Sequence, residues 1–429
     1  MKVRLTGARL KRAEPARRAS SPSSARQAAS PRILMYSHDS WGLGHLRRSL
    51  TIASALTRAY PDAGILIVTG SPCATHFSHP PGVSIVKLPS VTKDESGKYQ
   101  PRSFNGDLEA VLRLRGAILH EAFRSFAPHL LIIDHQVIGL HGEALPVLSE
   151  ASQQGVKIIL GLRDIIDSPA AVDEQLGTGH CRWALEEAYD RICVYGDAEV
   201  YDPRREYRTL AAVADRVELT GYIVRPRGEA RSLPNATPPS GVLVTMGGGQ
   251  DGVERVRAYL DCLALGPVPW KSTIVTGPLM TADEVRRVKR KAQALGSTRV
   301  YRFHSDMHRL LGQAELVVSM AGYNSATEIL QSGRPVIFMP RAFPRREQVI
   351  RARQLARLGV AKVLLEPRAA TLRQLIKDTL PEELFPISLP NLSGTDRMCE
   401  IVGELLGISS SVELDDGRST RWQHALPTC

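Results

Sequence analysis

From Arg32 onward, short apolar runs alternate with longer amphipathic stretches, and this rhythm is the strongest constraint on the fold. The runs RILMYS, ILIVTG, VSIVKL, LLIID, VKIILG and RICVYG have no polar face, as expected of strands buried on both sides. Between several of them lie helical patterns such as LRRSLTIASALTRAY, DLEAVLRLRGAILHEAFRSF and HGEALPVLSEASQQ. Buried strands joined through helices give crossover units and a parallel sheet. At residues 221–240 the rhythm breaks into GYIVRPRGEARSLPNATPPS, a linker composition, and then restarts. GVLVTM, STIVTG, TRVYRF, ELVVSM and PVIFMP read as strands, with VERVRAYLDCLAL, ADEVRRVKRKAQAL and EQVIRARQLARLG as helices. The expectation is an α/β chain of two doubly wound, Rossmann-like domains facing each other. Their ligand belongs in the cleft outside the carboxyl ends of the strands.

The chain has 429 residues, of which 43% are hydrophobic and 23% charged, enough for two cores. The expected divisions are a basic arm over 1–31, a first domain over 32–220, the linker 221–240, a second domain over 241–405 and a tail over 406–429. The net charge of +11 is uneven, because residues 1–31 hold eight Lys or Arg against one Glu. About +7 therefore sits in the arm and +4 in the rest, a balance that suits phosphate ligands or an anionic membrane surface and not a dedicated nucleic-acid binder. The arm reads as a solvated tail, with a targeting peptide or a mis-set start codon as alternatives. No secretory apolar region and no run of 18 apolar residues occurs, so a cytoplasmic location is expected. Six scattered cysteines without C-x-x-C or Cys/His spacing are expected to be reduced thiols, and no metal site is expected.

Three turns carry candidate chemistry. In GLGHLRR, Gly42 and Gly44 let the backbone after the first strand turn tightly, the following helix offers its positive end to an anion, and His45 and Arg47 enter the cleft. The alternative is a plain structural turn. In GVLVTMGGGQDG, Gly247, Gly248 and Gly249 form a nest suited to pyrophosphate, or only a flexible turn; no Walker lysine follows, which argues against an ATPase. In MAGYNSATEILQSGRPVIFMP, Gly322 ends a strand, Asn324, Ser325 and Thr327 supply caps and hydroxyls, and Glu328 lies one turn into a helix. That carboxylate can accept from both hydroxyls of a ribose, or it closes a capping box with Ser325. Asp134 and His135 follow LLII, and Arg163 and Asp164 follow IILGL, at strand ends facing the cleft. For Asp134 and Arg163 a role toward acceptor or catalysis stands beside ordinary capping or a structural ion pair. The basic helix EVRRVKRKAQAL is either a solvated face or a membrane-docking surface.

GLGH after the first strand, the GGG turn, then AGYNSATE, GRPVIFMP and a Glu-Gln pair some twenty residues past Glu328 together resemble the GT-B glycosyltransferases of the MurG-like family 28. The resemblance spans nearly all of residues 32–365 and is strongest over 315–360. SHDSWGLGHLRRS, LRDIID and VYG also look like a bacterial group of predicted glycosyltransferases. The resemblance implies His45 as general base, Gly247 to Gly249 on the donor diphosphate, Glu328 on the donor ribose and Gln348 on the donor. Glu347 stands where MurG-type sequences have another glutamine. Backbone near His304 and Met307 would read a uracil edge. The first loop has less glycine than the family pattern and two following arginines, Arg47 and Arg48, which suits an anionic group on donor or acceptor.

The implied reaction is an inverting transfer from a nucleotide-sugar, UDP-linked and with UDP-N-acetylhexosamine among the candidates, to an unidentified hydroxyl acceptor. Helix N-termini, glycine turns and Arg345 or Arg346 can stabilise the leaving diphosphate, and no D-x-D motif occurs, so no metal and no cofactor are expected. A lipid-linked acceptor would bring peripheral contact at the inner face of a membrane; no nucleic-acid partner is expected. The rivals are a nucleotide-sugar hydrolase or 2-epimerase on the same fold, and a non-catalytic nucleotide-sugar sensor.

Overall fold

The computed structural model describes residues 30–38, 44–74, 79–93, 98–102, 107–225, 241–296, 298–380 and 390–411. Gly42, most of the linker (226–240), the arm up to residue 29 and the tail from 412 lie outside the described residues.

The apolar runs form two all-parallel sheets. The first contains β1 (Arg32–Ser37), β2 (Gly64–Thr69), β3 (Val83–Lys87), β6 (Leu130–Asp134), β7 (Lys157–Arg163), β8 (Arg191–Tyr195) and β9 (Val217–Leu219), in the order β3-β2-β1-β6-β7-β8-β9. A short antiparallel hairpin, β4 (Val91–Lys93) with β5 (Tyr99–Pro101), stands apart from it. The second sheet contains β10 (Val242–Thr245), β11 (Ser272–Val275), β12 (Thr298–Tyr301), β13 (Leu316–Ser319), β14 (Val336–Phe338) and β15 (Lys362–Val363), in the order β12-β11-β10-β13-β14-β15. Each order reverses once, between β1 and β6 and between β10 and β13. The carboxyl ends of those four strands bound a ligand crevice, because successive crossovers leave there on opposite faces of the sheet.

Alternation within the second sheet shows how the halves share a core. Val242, Val244, Leu316, Val318 and Ile337 point to a layer closed by the helices Val253–Ala264, Ala282–Ala294 and Ala369–Thr379. Their neighbours Leu243, Val317, Val336 and Phe338 point to the other face and join the core that fills the first half.

The helix Ala282–Ala294 is anchored by a reciprocal capping box between Thr281 and Glu284 and buries only Val285, Val288 and Ala292. Its Arg287, Lys289 and Arg290 are exposed. No helix among the described residues is long and apolar enough to cross a membrane.

One expected division is corrected. The helix Gly394–Leu406, placed by chain order in the second domain, packs on the first half against the helix Gly44–Ala59. Tyr60 Oη donates to Cys399 O at 2.8 Å, and Arg397 Nε donates to Glu218 Oε1 at 2.5 Å. Met398, Ile401 and Val402 are fully buried there, each burial worth about 1.5–3 kcal/mol. The described start of the linker is likewise ordered between the halves. Tyr222 N–H donates to Asn391 O at 2.8 Å, and Ile223 N–H to Tyr323 Oη at 3.3 Å.

Candidate active site

The two switch points face a single cleft of about 480 Å³, within the range of pockets that enclose small ligands. Its first wall is built at the ends of β1 and β6. The helix Gly44–Ala59 opens with no acidic residue in its first turn and presents His45 and Arg47. Asp134, the last residue of β6, pairs in register with Ser37 of β1, which brings it under the same helix. His45 Nδ1 lies 2.6 Å from Asp134 Oδ2, and Arg48 grips the same carboxylate from Nε at 2.9 Å and Nη2 at 2.8 Å.

Asp134 is 3% exposed. Burial alone would raise its pKa, but the charges and hydrogen bonds of Arg48 and His45 outweigh burial and hold it well below the usual carboxylate range. The ionised carboxylate only accepts hydrogen bonds, and Arg48 Nη2, 2.9 Å from the same ring nitrogen, already donates to both carboxylate oxygens, so the imidazole proton belongs on Nδ1 and the Nε2 lone pair is free. Asp134 thus supports His45 from beneath, and its own side chain is not among those that line the cleft. His38, 6% exposed, sets its ring edge-on to His45 with centroids 4.5 Å apart. Burial and the neighbouring His45 push His38 well below the ordinary histidine value, so it stays neutral.

The second wall is built at the ends of β10 and β13. Gly247 (φ 59°) and Gly249 (φ 91°) take left-handed backbone, and a Cβ on Gly249 would stand 2.2 Å from Thr276 O. Gly249 N–H closes the turn onto Met246 O at 3.0 Å, while the amides of Gly247 and Gly248 have no acceptor among the described residues. The helix Tyr323–Ser332 starts beside this turn with Gly322 as N-cap and no side-chain cap, so its first amides face the cleft unpaired.

Glu328 does not close a capping box with Ser325. Its Oε1 instead accepts from Arg47 Nη2 across the cleft at 2.5 Å, and Asn324 Nδ2 donates to Gly44 O at 3.1 Å. Gln348 Oε1 accepts from Arg341 N–H at 3.2 Å and Glu347 Oε1 from Arg341 Nη2 at 2.9 Å; both side chains line the cleft.

Gly44, His45, Arg47, Arg163, Gly247, Gly248, Gly249, His304, Met307, Gly322, Asn324, Ser325, Glu328 and Gln348 thus meet in one cleft. Gly42 is outside the described residues. Thr327 is a correction: it is 2% exposed, faces the core and donates from Oγ1 to Asn324 O in its own helix, so it presents no hydroxyl to a ligand. Arg48's double hold on Asp134 and the cleft residues His38, Gln136 and Arg341 escaped sequence reading. The signal for Arg48 was present in GLGHLRR, where the i, i+3 spacing places it on the same helix face as His45.

Residues 242–393 match the glycosyltransferase family 28 C-terminal domain. A UDP-N-acetylglucosamine--N-acetylmuramyl-(pentapeptide) pyrophosphoryl-undecaprenol N-acetylglucosamine transferase of Desulforudis audaxviator is 25% identical over 337 residues, which cover 75% of this chain and 83% of the relative. The enzyme of the same name from Mesorhizobium japonicum is 31% identical over 159 residues, 36% of this chain and 42% of the relative. Among solved structures, Acinetobacter baumannii MurG superposes with a TM-score of 0.52 at 14% identity, covering 92% of this chain and 98% of that one. The glycotransferase of kitacinnamycin superposes with a TM-score of 0.58 at 16% identity, covering 88% and 95%. The family match falls on the half that carries the glycine turn and Glu328. Residues 242–393 are thus matched by the family 28 C-terminal domain, the chain has the GT-B fold, and it is a glycosyltransferase similar to MurG.

Proposed function

We propose that this protein is an inverting, metal-independent transferase that moves a sugar from a UDP-linked donor, a UDP-N-acetylhexosamine among the candidates, to a hydroxyl acceptor. The observation that carries the reading is the opposition, within one cleft, of a carboxylate-held histidine and a wall of unpaired backbone amides. His45 Nε2 takes the proton of the acceptor hydroxyl, and the acceptor oxygen attacks the anomeric carbon. The bond from that carbon to the β-phosphate oxygen breaks, and the diphosphate leaves with the electron pair. A single displacement inverts the anomeric centre.

The charge that develops on the diphosphate falls to the Gly247 and Gly248 amides and the N-terminus of the Tyr323–Ser332 helix. These fixed dipoles and nearby arginines can do the work of a divalent ion, and the nucleotide-sugar is substrate, not cofactor. Glu328 accepts from the ribose hydroxyls, which displaces Arg47 from its 2.5 Å contact. At 28% exposure the Arg47 side chain can swing, and it then turns toward the diphosphate. His304 and Met307 line the end of the cleft that takes the base. If the acceptor is lipid-linked, as the relatives' name states for theirs, the exposed basic face of the Ala282–Ala294 helix is the surface that meets anionic lipid at the cytoplasmic side of the membrane.

Glu328→Ala is expected to weaken UDP binding by about 10- to 100-fold, the usual weight of hydrogen bonds to a charged group. Thermal stability should move little, because the ion pair it removes is partly exposed. Calorimetric titration with UDP, GDP, TDP and CMP checks both the site and the nucleotide. Equal affinity of wild type and variant would remove the ribose assignment. UDP release in the presence of EDTA should proceed at the untreated rate; activity that stops and returns only with a divalent ion would overturn the metal-free mechanism.

A further inference from the structure

Beside His45, on the acceptor side of the cleft, is a cationic cluster that the reaction as described leaves unused. Arg163, the last residue of β7, places Nη2 2.8 Å from His135 Nε2, while its Nε is buried without a partner. The guanidinium can only donate, so His135 Nε2 accepts and the imidazole proton sits on Nδ1. That Nδ1 is itself buried with no acceptor, on a residue 7% exposed and held in left-handed backbone (φ 65°). The His135 and His45 ring centroids are 5.2 Å apart.

Arg345 comes from the opposite wall and has no ion pair among the described residues. Its charge reaches both first-wall groups. Burial first, then Arg163, His45 and Arg345, push His135 well below the ordinary histidine value. Burial, offset by Glu347 and reinforced by Arg48 and Arg345, brings Arg163 down to about 10. Glu347, whose Oε1 is engaged by Arg341 at 2.9 Å and whose buried Oε2 has no hydrogen-bond partner, offsets part of the charge on Arg163 but makes no ion pair with it among the described residues. Two arginines that line one cleft, with an unpaired buried N–H on the histidine that Arg163 contacts, repel in the empty protein and are satisfied together by one anion.

We propose that Arg163, His135 and Arg345 form an oxyanion subsite for the acceptor, which is therefore a hydroxyl compound carrying a phosphate or a carboxylate close to the hydroxyl that His45 activates. The inference rests on His45 as base and on the donor lying against the second wall. The donor's own phosphates are assigned to Gly247, Gly248 and the Tyr323–Ser332 helix, whereas Arg163 and His135 stand at the ends of β7 and β6. A neutral acceptor alcohol would leave all three donors unpaired.

The test is a titration of inorganic phosphate, and separately of acetate, into the full-length protein saturated with UDP. One equivalent of phosphate should bind. Arg163→Gln and Arg345→Gln should each weaken that binding at least tenfold, and Arg163→Gln should do so with UDP affinity unchanged. Acetate that binds in the same way assigns a carboxylate, and phosphate alone assigns a phosphate. Phosphate that binds only in competition with UDP would give these arginines to the donor diphosphate and overturn the inference, as would phosphate affinity indifferent to both substitutions. Failure of UDP to bind would sink the donor reading by itself, and phosphate titrated into the free protein would still test the arginines.

Discussion

His45→Ala is expected to lower kcat by about 10²- to 10⁴-fold, the usual contribution of a positioned general base, while UDP affinity stays at the wild-type level. The separation follows from position. His45 stands on the first wall, whereas the groups assigned to the donor, apart from Arg47, stand on the second. The variant should also fold normally, because Arg48 keeps its two-point hold on Asp134 at 2.8 and 2.9 Å after the imidazole is gone. Asp134→Asn separates positioning from packing. An amide NH₂ facing Nδ1 favours the tautomer with its proton on Nε2, which removes the base without moving the ring. It should therefore depress kcat with little change in donor KM and alter the pH profile of kcat. A His45→Ala enzyme with full turnover would end the general-base proposal.

The second large effect is on stability. Asp164, just beyond β7, and Arg351, on the helix Glu347–Arg357 of the other half, are both fully buried. Arg351 donates from Nε to Asp164 Oδ2 at 2.8 Å, from Nη2 to Oδ1 at 2.6 Å and from Nη1 to Ala321 O at 2.8 Å. Tyr222 Oη, from the connection between the halves, adds a bond to Asp164 Oδ2 at 3.0 Å. Burial alone would lower the Arg351 pKa, but the facing carboxylate outweighs it and holds the value above the ordinary one.

Removing one partner strands the other charge in the interior, so Arg351→Met or Asp164→Leu alone should cost about 3–5 kcal/mol. The combined Asp164→Leu/Arg351→Met protein should recover most of that loss, since two matched apolar side chains leave no stranded charge. Urea unfolding of the three variants measures both numbers. Single variants within 1 kcal/mol of wild type would mean that this pair does not join the halves energetically, a threshold set by the weight of a solvated ion pair. Because Arg351 also holds Ala321, which has φ 65° immediately before the Gly322 cap, the single variants should weaken UDP binding as well.

The strands and the cleft were legible because a strand buried on both faces reads as an unbroken apolar run; the eleven runs name their own positions, although the edge strands β3 and β12 are partly exposed. The β4–β5 hairpin, the three-residue β9 and the two-residue β15 were not, being too short to show a period. The helix Gly394–Leu406 has an amphipathic pattern in TDRMCEIVGELL, but periodicity states which face is buried and not against what, so its return to the first half had to come from the structure. His45 and Asp134 could each be placed at a strand end from sequence. Their 2.6 Å contact depends on β1 lying next to β6, a fact of strand order.

The pairs Arg47–Glu328 and Asp164–Arg351 join residues 281 and 187 positions apart, beyond any local signal. Thr327 misled for the opposite reason. A hydroxyl near a helix start suggests a ligand group, yet at this position the side chain turns inward and bonds to its own helix.

The most direct measurement is a crystal structure of the protein with UDP. The account expects the ribose hydroxyls within hydrogen-bond distance of Glu328, Arg47 released from that carboxylate, the diphosphate over Gly247 to Gly249 and the N-terminus of the Tyr323–Ser332 helix, and the uracil near His304 and Met307. UDP bound elsewhere, with the 2.5 Å contact between Arg47 and Glu328 intact, would contradict it.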